Sequence, residues 1–254
     1  KLNCLSGNCR VYARTQKGEM PMSVKDMVRL DPATVRLWNG ARWTQVIGFY
    51  ENHSPIDPIK LRLRSGETIS CTPEHRWPTQ RGLISASELV IGDVLDICQL
   101  PEPENPNEPI HIPDSMGWFV GMYLAEGSKY GDLDISIACH AKEIERYERI
   151  QAICKDYDTH CGMYSTSENG AVINISSRIL RAIIETYISG KTAKDKHLSV
   201  TCWARSNQFL YNILLGYLEG DGHNDTKNDR WRLGFTRNYN LEADLRTLCA
   251  RLGI

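Results

Sequence analysis

Phe119–Gly127, FVGMYLAEG, and Leu214–Gly222, LLGYLEGDG, are two apolar runs of one pattern, with glycine third and an acid followed by glycine at the end. Wound as helices, the first puts Gly121 and Ala125 one turn apart and the second Gly216 and Gly220. Each helix then carries a stripe of small residues, along which two backbones approach more closely than Leu or Ile would permit. Packing the stripes face to face brings Glu126 and Asp221 side by side at the helix ends. Gly127 and Gly222 suit the left-handed turn that ends a helix. Adjacent carboxylates repel, and as oxygen ligands they suit Mg2+, so a paired site can hold the metals of a phosphodiester-cleaving centre. One copy of the pattern would be only a buried helix with glycines. Two copies 95 residues apart (126 to 221) imply a duplicated unit.

The sequence around the two runs repeats in the same sense. Asp114 or Ser115 caps the first helix. A strand over 134–138, a helix over 142–157 with Ile144, Tyr147, Ile150, Cys154 and Tyr157 on one face, strands over 162–166 and 171–176 about Asn169-Gly170, and a helix over 179–188 follow. The second copy gives a helix over 208–222, a strand over 231–236 and a helix over 241–252 with Leu241, Leu245, Leu248 and Leu252 inward. Residues 115–254 therefore predict an α/β domain of two pseudo-symmetric repeats, the second lacking its last two strands and closing helix. The basic loop between them, GKTAKDKHLS at 190–199, reads by itself as a solvated surface. Its Gly190-Lys191-Thr192 lacks the upstream glycine of a phosphate-binding loop.

Upstream the character changes. Residues 101–114, PEPENPNEPIHIPD, hold five prolines and four acids without apolar period, which predicts an extended linker. Residues 4–100 offer short β-rich runs at 35–38, 44–50, 59–63 and 68–70, turns at Asn39-Gly40 and Ser65-Gly66, and brief helices at 23–30 and 85–89. This is an all-β domain of irregular, curved sheets. Cys4 in CLSGNCRVY and Thr72 and His75 in CTPEHRWPT add chemistry to it. A thiol beside a peptide carbonyl attacks that carbonyl if the leaving nitrogen is protonated; a histidine supplies the proton and a hydroxyl orients it.

Two resemblances arise from these residues. The paired runs are similar to the LAGLIDADG motif of homing endonucleases, with Glu126 and Asp221 at the family's metal-binding acid; the first copy departs at Met122, Tyr123 and in carrying Glu. CLSGNCRVY, GETISCTPEHRWPT and ISASELVIGDVLDI resemble successive blocks of inteins, the self-splicing insertions, with Gly92-Asp93 at the turn of a strand pair. The order matches an intein whose β-domain, a Hint-type horseshoe at 4–100, is interrupted by a LAGLIDADG domain at 115–254. The resemblance implies that Cys4 is the N–S acyl-shift nucleophile, that His75 protonates the Asn3–Cys4 amide with Thr72 beside it, and that residues 1–3 end the host protein. Asn8 and Cys9 stand where the family has Asp and Thr. It implies Mg2+ at Glu126 and Asp221, Lys196 assisting hydrolysis, and a double-stranded DNA target. Strands over about 129–138, 162–176 and 229–237 would face the duplex, with Lys129, Arg230, Arg232 and Arg237 on phosphates. The partners implied are the host exteins and a C-terminal intein segment that lies outside this sequence, removed or on a separate chain. A LAGLIDADG domain that binds DNA without cutting it is the alternative. A hedgehog-like autoprocessing protein shares the Cys and T-x-x-H logic but has no use for duplicated acid-ended helices.

Composition bounds these readings. The chain has 254 residues, 41% of them hydrophobic, enough for two domains. No run approaches a membrane span and no signal peptide opens the chain, so no membrane partner is expected. Nine cysteines, scattered without CxxC pairs, suit free thiols in a reducing, cytoplasmic compartment; Cys139-His140 and His160-Cys161 lack zinc-ligand spacing. The net charge of −1 argues mildly against a nucleic-acid partner. Its distribution argues the other way: residues 170–254 hold 12 Lys and Arg against 8 Asp and Glu, and residues 101–169 hold 5 against 13.

Overall fold

The computed structural model describes residues 4–51, 57–234 and 237–254 and divides into two compact units, residues 1–100 and 101–252. The described residues form a mixed α/β protein of small antiparallel sheets and six α-helices. None of those helices is long and apolar enough to cross a membrane.

In the first unit, β1 (Arg10–Thr15) and β2 (Gly18–Ser23) make a hairpin that the sequence reading does not foresee. Gly18 takes φ +104° at its turn, a conformation L side chains resist. Ser23 caps the single-turn helix α1 (Val24–Met27) by accepting from the Asp26 amide. β3 (Arg36–Trp38) and β4 (Trp43–Gln45) complete a sheet of order β2-β1-β3-β4. Asn39 closes the β3–β4 turn, its Oδ1 accepting from the amides of Ala41 and Arg42 while Gly40 sits at φ +96°. Alternation along β1 turns Val11 and Ala13 inward, where they meet Met22, Met27, Val35 and Leu37.

Two further hairpins follow, β5 (Ile59–Arg62) with β6 (Thr68–Cys71) and β7 (Arg76–Thr79) with β8 (Gly82–Ser85). Two expectations are corrected here. The run 44–50 is a strand only to Gln45, after which the Val46 amide returns to the Val35 carbonyl. Residues 85–98 hold a 3-10 turn and one bridge, Thr79 to Leu95, rather than a strand pair. Gly92 does mark a turn, with Asp93 accepting from the Val90 amide and paired to Arg81 at 2.6 Å.

The second unit runs α2 (Met116–Glu126), β9 (Gly127–Tyr130), β10 (Asp134–His140), α3 (Ile144–Asp156), β11 (Cys161–Ser165), β12 (Gly170–Ser176) and α4 (Arg178–Tyr187). A minimal ladder of β13 (Ile188–Ser189) and β14 (His197–Leu198) leads to α5 (Asn207–Asp221), β15 (Gly222–Asp225), β16 (Arg230–Leu233) and α6 (Tyr239–Leu252). The repeat is real in the backbone: α2 and α5 end 95 residues apart (126 to 221), and α3 and α6 begin 95 apart (144 to 239). The first repeat has a four-stranded sheet, β11-β12-β10-β9, and the second a two-stranded one. Phe235 and Thr236, which the sequence reading includes in the last strand, lie outside the described residues.

Helices α2 and α5 are the core of this unit and pack along their glycines. A Cβ on Gly121 would fall 2.0 Å from the Ile213 carbonyl oxygen, and one on Gly216 would fall 2.1 Å from that of Trp118. Gly117, outside the quoted run, joins the stripe at 2.3 Å from the Phe209 carbonyl. The helix exits differ from expectation. Gly127 and Gly222 are extended (φ −82° and −92°), not left-handed, because each helix passes straight into a strand. Glycine is needed there for room: a Cβ would stand 2.4 Å from the Tyr123 carbonyl oxygen in one and 2.3 Å from that of Leu218 in the other.

The proline-rich stretch is corrected too. Residues 101–114 have no helix or strand, yet they dock on the second unit rather than hang between two. Glu102 accepts from the Asn207 amide at the start of α5, and the Asn107 amide donates to Ala204. Asp114 takes the Ser206 hydroxyl and the guanidinium of buried Arg205, which also donates to the Ile112 carbonyl. Asp114 thus anchors the entry to α2 from outside; neither it nor Ser115 caps that helix by a side-chain bond.

Candidate functional site

Because the stripes align, the carboxyl ends of α2 and α5 finish together. A Cβ on Gly220 would lie 2.5 Å from the Ala125 Cβ and 3.2 Å from the Glu126 Cγ. Burial pushes the Glu126 carboxyl up, and the negative charge of Asp221 adds to that while Arg146 and Lys196 draw it back. Asp221 is more open to solvent, and its carboxyl shifts the same way through partial burial, opposed by Lys196. Gly234 closes over this end, its amide donating to the Asp221 carbonyl and its carbonyl accepting from the Tyr217 hydroxyl.

Lys196 completes the group. The loop that carries it turns at Gly190, φ +86°, where a Cβ would strike the Asp195 carbonyl oxygen at 2.2 Å. Asp195 in turn accepts from the amides of Lys191 and Thr192, and Asn238 donates to the carbonyls of Ala193 and Lys196. A loop that reads as solvated surface is therefore tightly built. The Lys196 side chain is 3% exposed, and its Nζ donates to the Tyr123 carbonyl at 3.1 Å and the Gly127 carbonyl at 2.7 Å. It adds a second donor to the Tyr123 carbonyl, which already accepts from the Gly127 amide, and ties the end of α2 to the start of β9. Burial lowers its pKa to about 8 against the favourable charges of Asp221 and Glu126.

A clamp that the sequence reading misses ties the first turn of α2 to the end of α5. Glu219 accepts from the Trp118 indole at 2.8 Å and faces Arg149 at 3.5 Å; Arg149 lies 3.9 Å over the Trp118 ring. Arg146 donates to the Glu219 carbonyl and pairs with Glu143. Helices α2, α3 and α5 meet here. The signal available in the sequence is Glu219 itself, two residues before Asp221.

Among the described residues no three His, Cys, Asp or Glu side chains converge as a metal cage. The donor set is two partly buried carboxylates. That set fits Mg2+, which keeps several waters and takes one or two carboxylates together with substrate phosphates.

The expected phosphate ligands separate. Lys129 is corrected. It is paired across strands with Ile135, which is paired with Ile175, so it points to the helix-covered face. There it meets Glu185 of α4 at 3.1 Å, with 14% of its side chain exposed. The opposite, open face presents Ser128, Tyr130, Asn174 and Tyr164, with Ser136 buried beneath and bonded to Asn174. Arg230 and Arg232 share one face of the second hairpin with His223, and both pair with Asp225, at 3.3 and 2.9 Å. Arg237 is exposed at φ +45°.

In the first unit the structure brings Cys4 and Thr72 together, with His75 joined to Thr72 through its backbone. The Cys4 amide donates to the Thr72 hydroxyl at 3.1 Å, and the Thr72 amide donates to the Cys4 carbonyl at 3.0 Å. Leu5 bridges to Cys71, and the Ser6 amide donates to Ser70, so the segment after Cys4 lies along the end of β6. The His75 amide donates to the Thr72 carbonyl, and the imidazole packs against Trp77 with ring centres 5.0 Å apart. The nitrogen held by Thr72 is that of the Asn3–Cys4 peptide; Asn3 and residues before it lie outside the described residues. Cys4 is partly exposed, and all nine cysteines are free thiols.

No protein-family model matches the chain. The chain is similar to the DNA-directed RNA polymerase subunit Rpo1C of Methanocaldococcus jannaschii, 24% identical over 221 residues that take in 71% of this chain. The match spans about a quarter (25%) of that relative's length.

Proposed function

We propose that the chain belongs to an intein carrying a LAGLIDADG-type, metal-dependent DNA endonuclease. The observation that carries this reading is the convergence of Glu126, Asp221 and Lys196 at the adjoining ends of two glycine-striped helices. A quarter-length match to a polymerase subunit supports an element set within a larger host protein.

At the acid pair, Glu126 and Asp221 would hold Mg2+, which when bound polarises a phosphoryl oxygen and lowers the pKa of a water. The chain's own contribution is placement. The clamp of Trp118, Glu219, Arg146 and Arg149 fixes the register of the two helices, and Lys196 pins the carbonyls on either side of Glu126. Its charge also offsets repulsion between the acids. The water oxygen bonds to phosphorus, the P–O bond to the leaving sugar oxygen breaks, and the proton lost by the water is balanced by one gained at that oxygen, with the duplex lying on the open strand faces of the two repeats. Lys129 has no part in that contact.

In the first unit, Cys4 Sγ adds to the Asn3 carbonyl carbon. The amide C–N bond breaks, a thioester forms and the proton lost by the thiol is balanced by one gained at the Cys4 nitrogen. Thr72 holds that nitrogen and His75 is the proton donor.

The test uses the protein completed by its C-terminal segment. Incubation with Mg2+ and a randomised duplex library should enrich cut sites for the parent and none for Glu126→Gln with Asp221→Asn. Equal enrichment in both, or none in the parent, overturns the endonuclease reading.

A further inference from the structure

The β5–β6 hairpin of the first unit carries cations that neither the acid pair nor the Cys4 region uses. Alternation along β5 turns Ile59 and Leu61 to one face, opposite Cys71 and Ile69. Lys60 and Arg62 point to the other, opposite Ser70 and Thr68. The ladder runs one step past the strand, where the Leu63 amide donates to the Glu67 carbonyl, so Glu67 follows Leu63 to the apolar side. Arg64 comes next, at the turn that Gly66 closes at φ +90° with its amide on the Leu63 carbonyl. Lys60, Arg62 and Arg64 are all exposed.

Among the described residues no carboxylate pairs with any of the three. The second unit's hairpin is built the other way, with Arg230 and Arg232 both on Asp225. Here the cross-strand neighbours are hydroxyls, and strand rise sets Lys60 and Arg62 about 7 Å apart on one face. A charge on an edge strand such as β5 deters pairing with another chain. That purpose needs neither a second cation nor a third.

We infer that this hairpin grips the phosphate backbone of duplex DNA through Lys60, Arg62 and Arg64, a foothold separate from the site at Glu126 and Asp221. Single strands are held by stacking their bases on aromatic rings. The hairpin's other side chains on this face are Thr68 and Ser70, with no ring among them. A duplex hides its bases and shows phosphates, one negative charge per about 1.7 Å of axis, and hydroxyls bond to phosphate oxygens beside the cations. An acidic polypeptide in extended form offers at best one charge per about 3.4 Å. This foothold rests on the endonuclease reading, which supplies the duplex.

The experiment uses the full chain in EDTA, which withholds the metal, and a fluorescein-labelled duplex of about 30 base pairs followed by anisotropy across a salt series. Lys60→Gln with Arg62→Gln and Arg64→Gln should weaken binding roughly tenfold or more and flatten the slope of log K against log salt by about 2.7, at about 0.9 per lost phosphate contact. Arg62→Gln alone should flatten it by about 0.9, and Lys60→Arg should bind as the parent does. A matching thermal melt for each variant separates lost contact from lost fold. The foothold is refuted if the triple change leaves affinity and slope as they were, if it costs an oligothymidylate of equal length as much as it costs the duplex, or if polyglutamate of equal charge competes as well as unlabelled duplex. A parent that fails to bind duplex at all overturns this and the endonuclease reading together. A parent that binds with this dependence yet cuts nothing in Mg2+ overturns the endonuclease reading alone.

Discussion

Gly121 and Ile213 touch backbone to backbone: a methyl group on the glycine would fall 2.0 Å from the isoleucine carbonyl oxygen. In an ordinary helix interior, Gly→Ala gains about 1 kcal/mol. Here the sign reverses, because the atom in the way is main chain and cannot rotate aside. Gly121→Ala or Gly216→Ala should cost about 1–3 kcal/mol or more in urea unfolding. A gain in either variant would show that the helices lie further apart.

The acid pair sets a pH dependence. Glu126 has a folded-state pKa raised above its unfolded value by burial and by Asp221. Its protonated form is thus favoured by folding, so this contribution is present at low pH and is lost as pH rises through the raised folded value. The melting temperature of the parent relative to that of Glu126→Gln should therefore fall from acid toward neutral pH. Mg2+ at neutral pH should restore it in the parent and do nothing for the variant.

Lys196 acts in the opposite window. Its pKa is about 8 in the fold against 10.5 in the ordinary state. Between those values the unfolded chain holds a proton that the folded chain has released, so stability rises with pH. Against Lys196→Met, the parent should gain up to about 3 kcal/mol across that window, read as the difference between the two chains. A flat difference would place the ammonium in solvent.

For the first unit, added thiol should cleave the completed protein before Cys4, and Cys4→Ala should abolish this. Thr72→Ala and His75→Ala should each slow cleavage, because the Cys4 nitrogen loses its tether in one and its proton source in the other. Glu126→Gln should leave the rate unchanged. Thiol cleavage that survives Cys4→Ala would sink the assignment.

The helix pair is legible in the sequence because its small residues report a distance: Gly121, Ala125, Gly216 and Gly220 fall at helical spacing, and close approach of two backbones explains them. Lys196 is legible only through family resemblance; as a lysine in a basic loop it looks like surface, and its burial follows from Gly190, Asp195 and Asn238 closing that loop. Lys129 shows the opposite error. A cation in a strand beside the acid invites a phosphate, but parity with Ile135 decides its face, and register is not visible before pairing is known. The β1–β2 hairpin hides because GEMPMS does not alternate; Pro21 is tolerated since β2 is an edge strand. The clamp on Glu219 depends on which side of α3 meets α5, which no local pattern states.

One feature of the backbone ties the two halves of the proposed endonuclease together mechanically. Glu126 and Gly127 stand at the junction of α2 with β9, and Asp221 and Gly222 at that of α5 with β15, with no loop between helix and strand. There is no slack to absorb a displacement, and the preceding helical turn blocks each glycine from folding back. Each strand is therefore a lever arm with its fulcrum beside an acid. In the proposed endonuclease, twisting either ribbon would turn the acid at its root, so the curvature of a duplex on the strands would be felt in the spacing of the site.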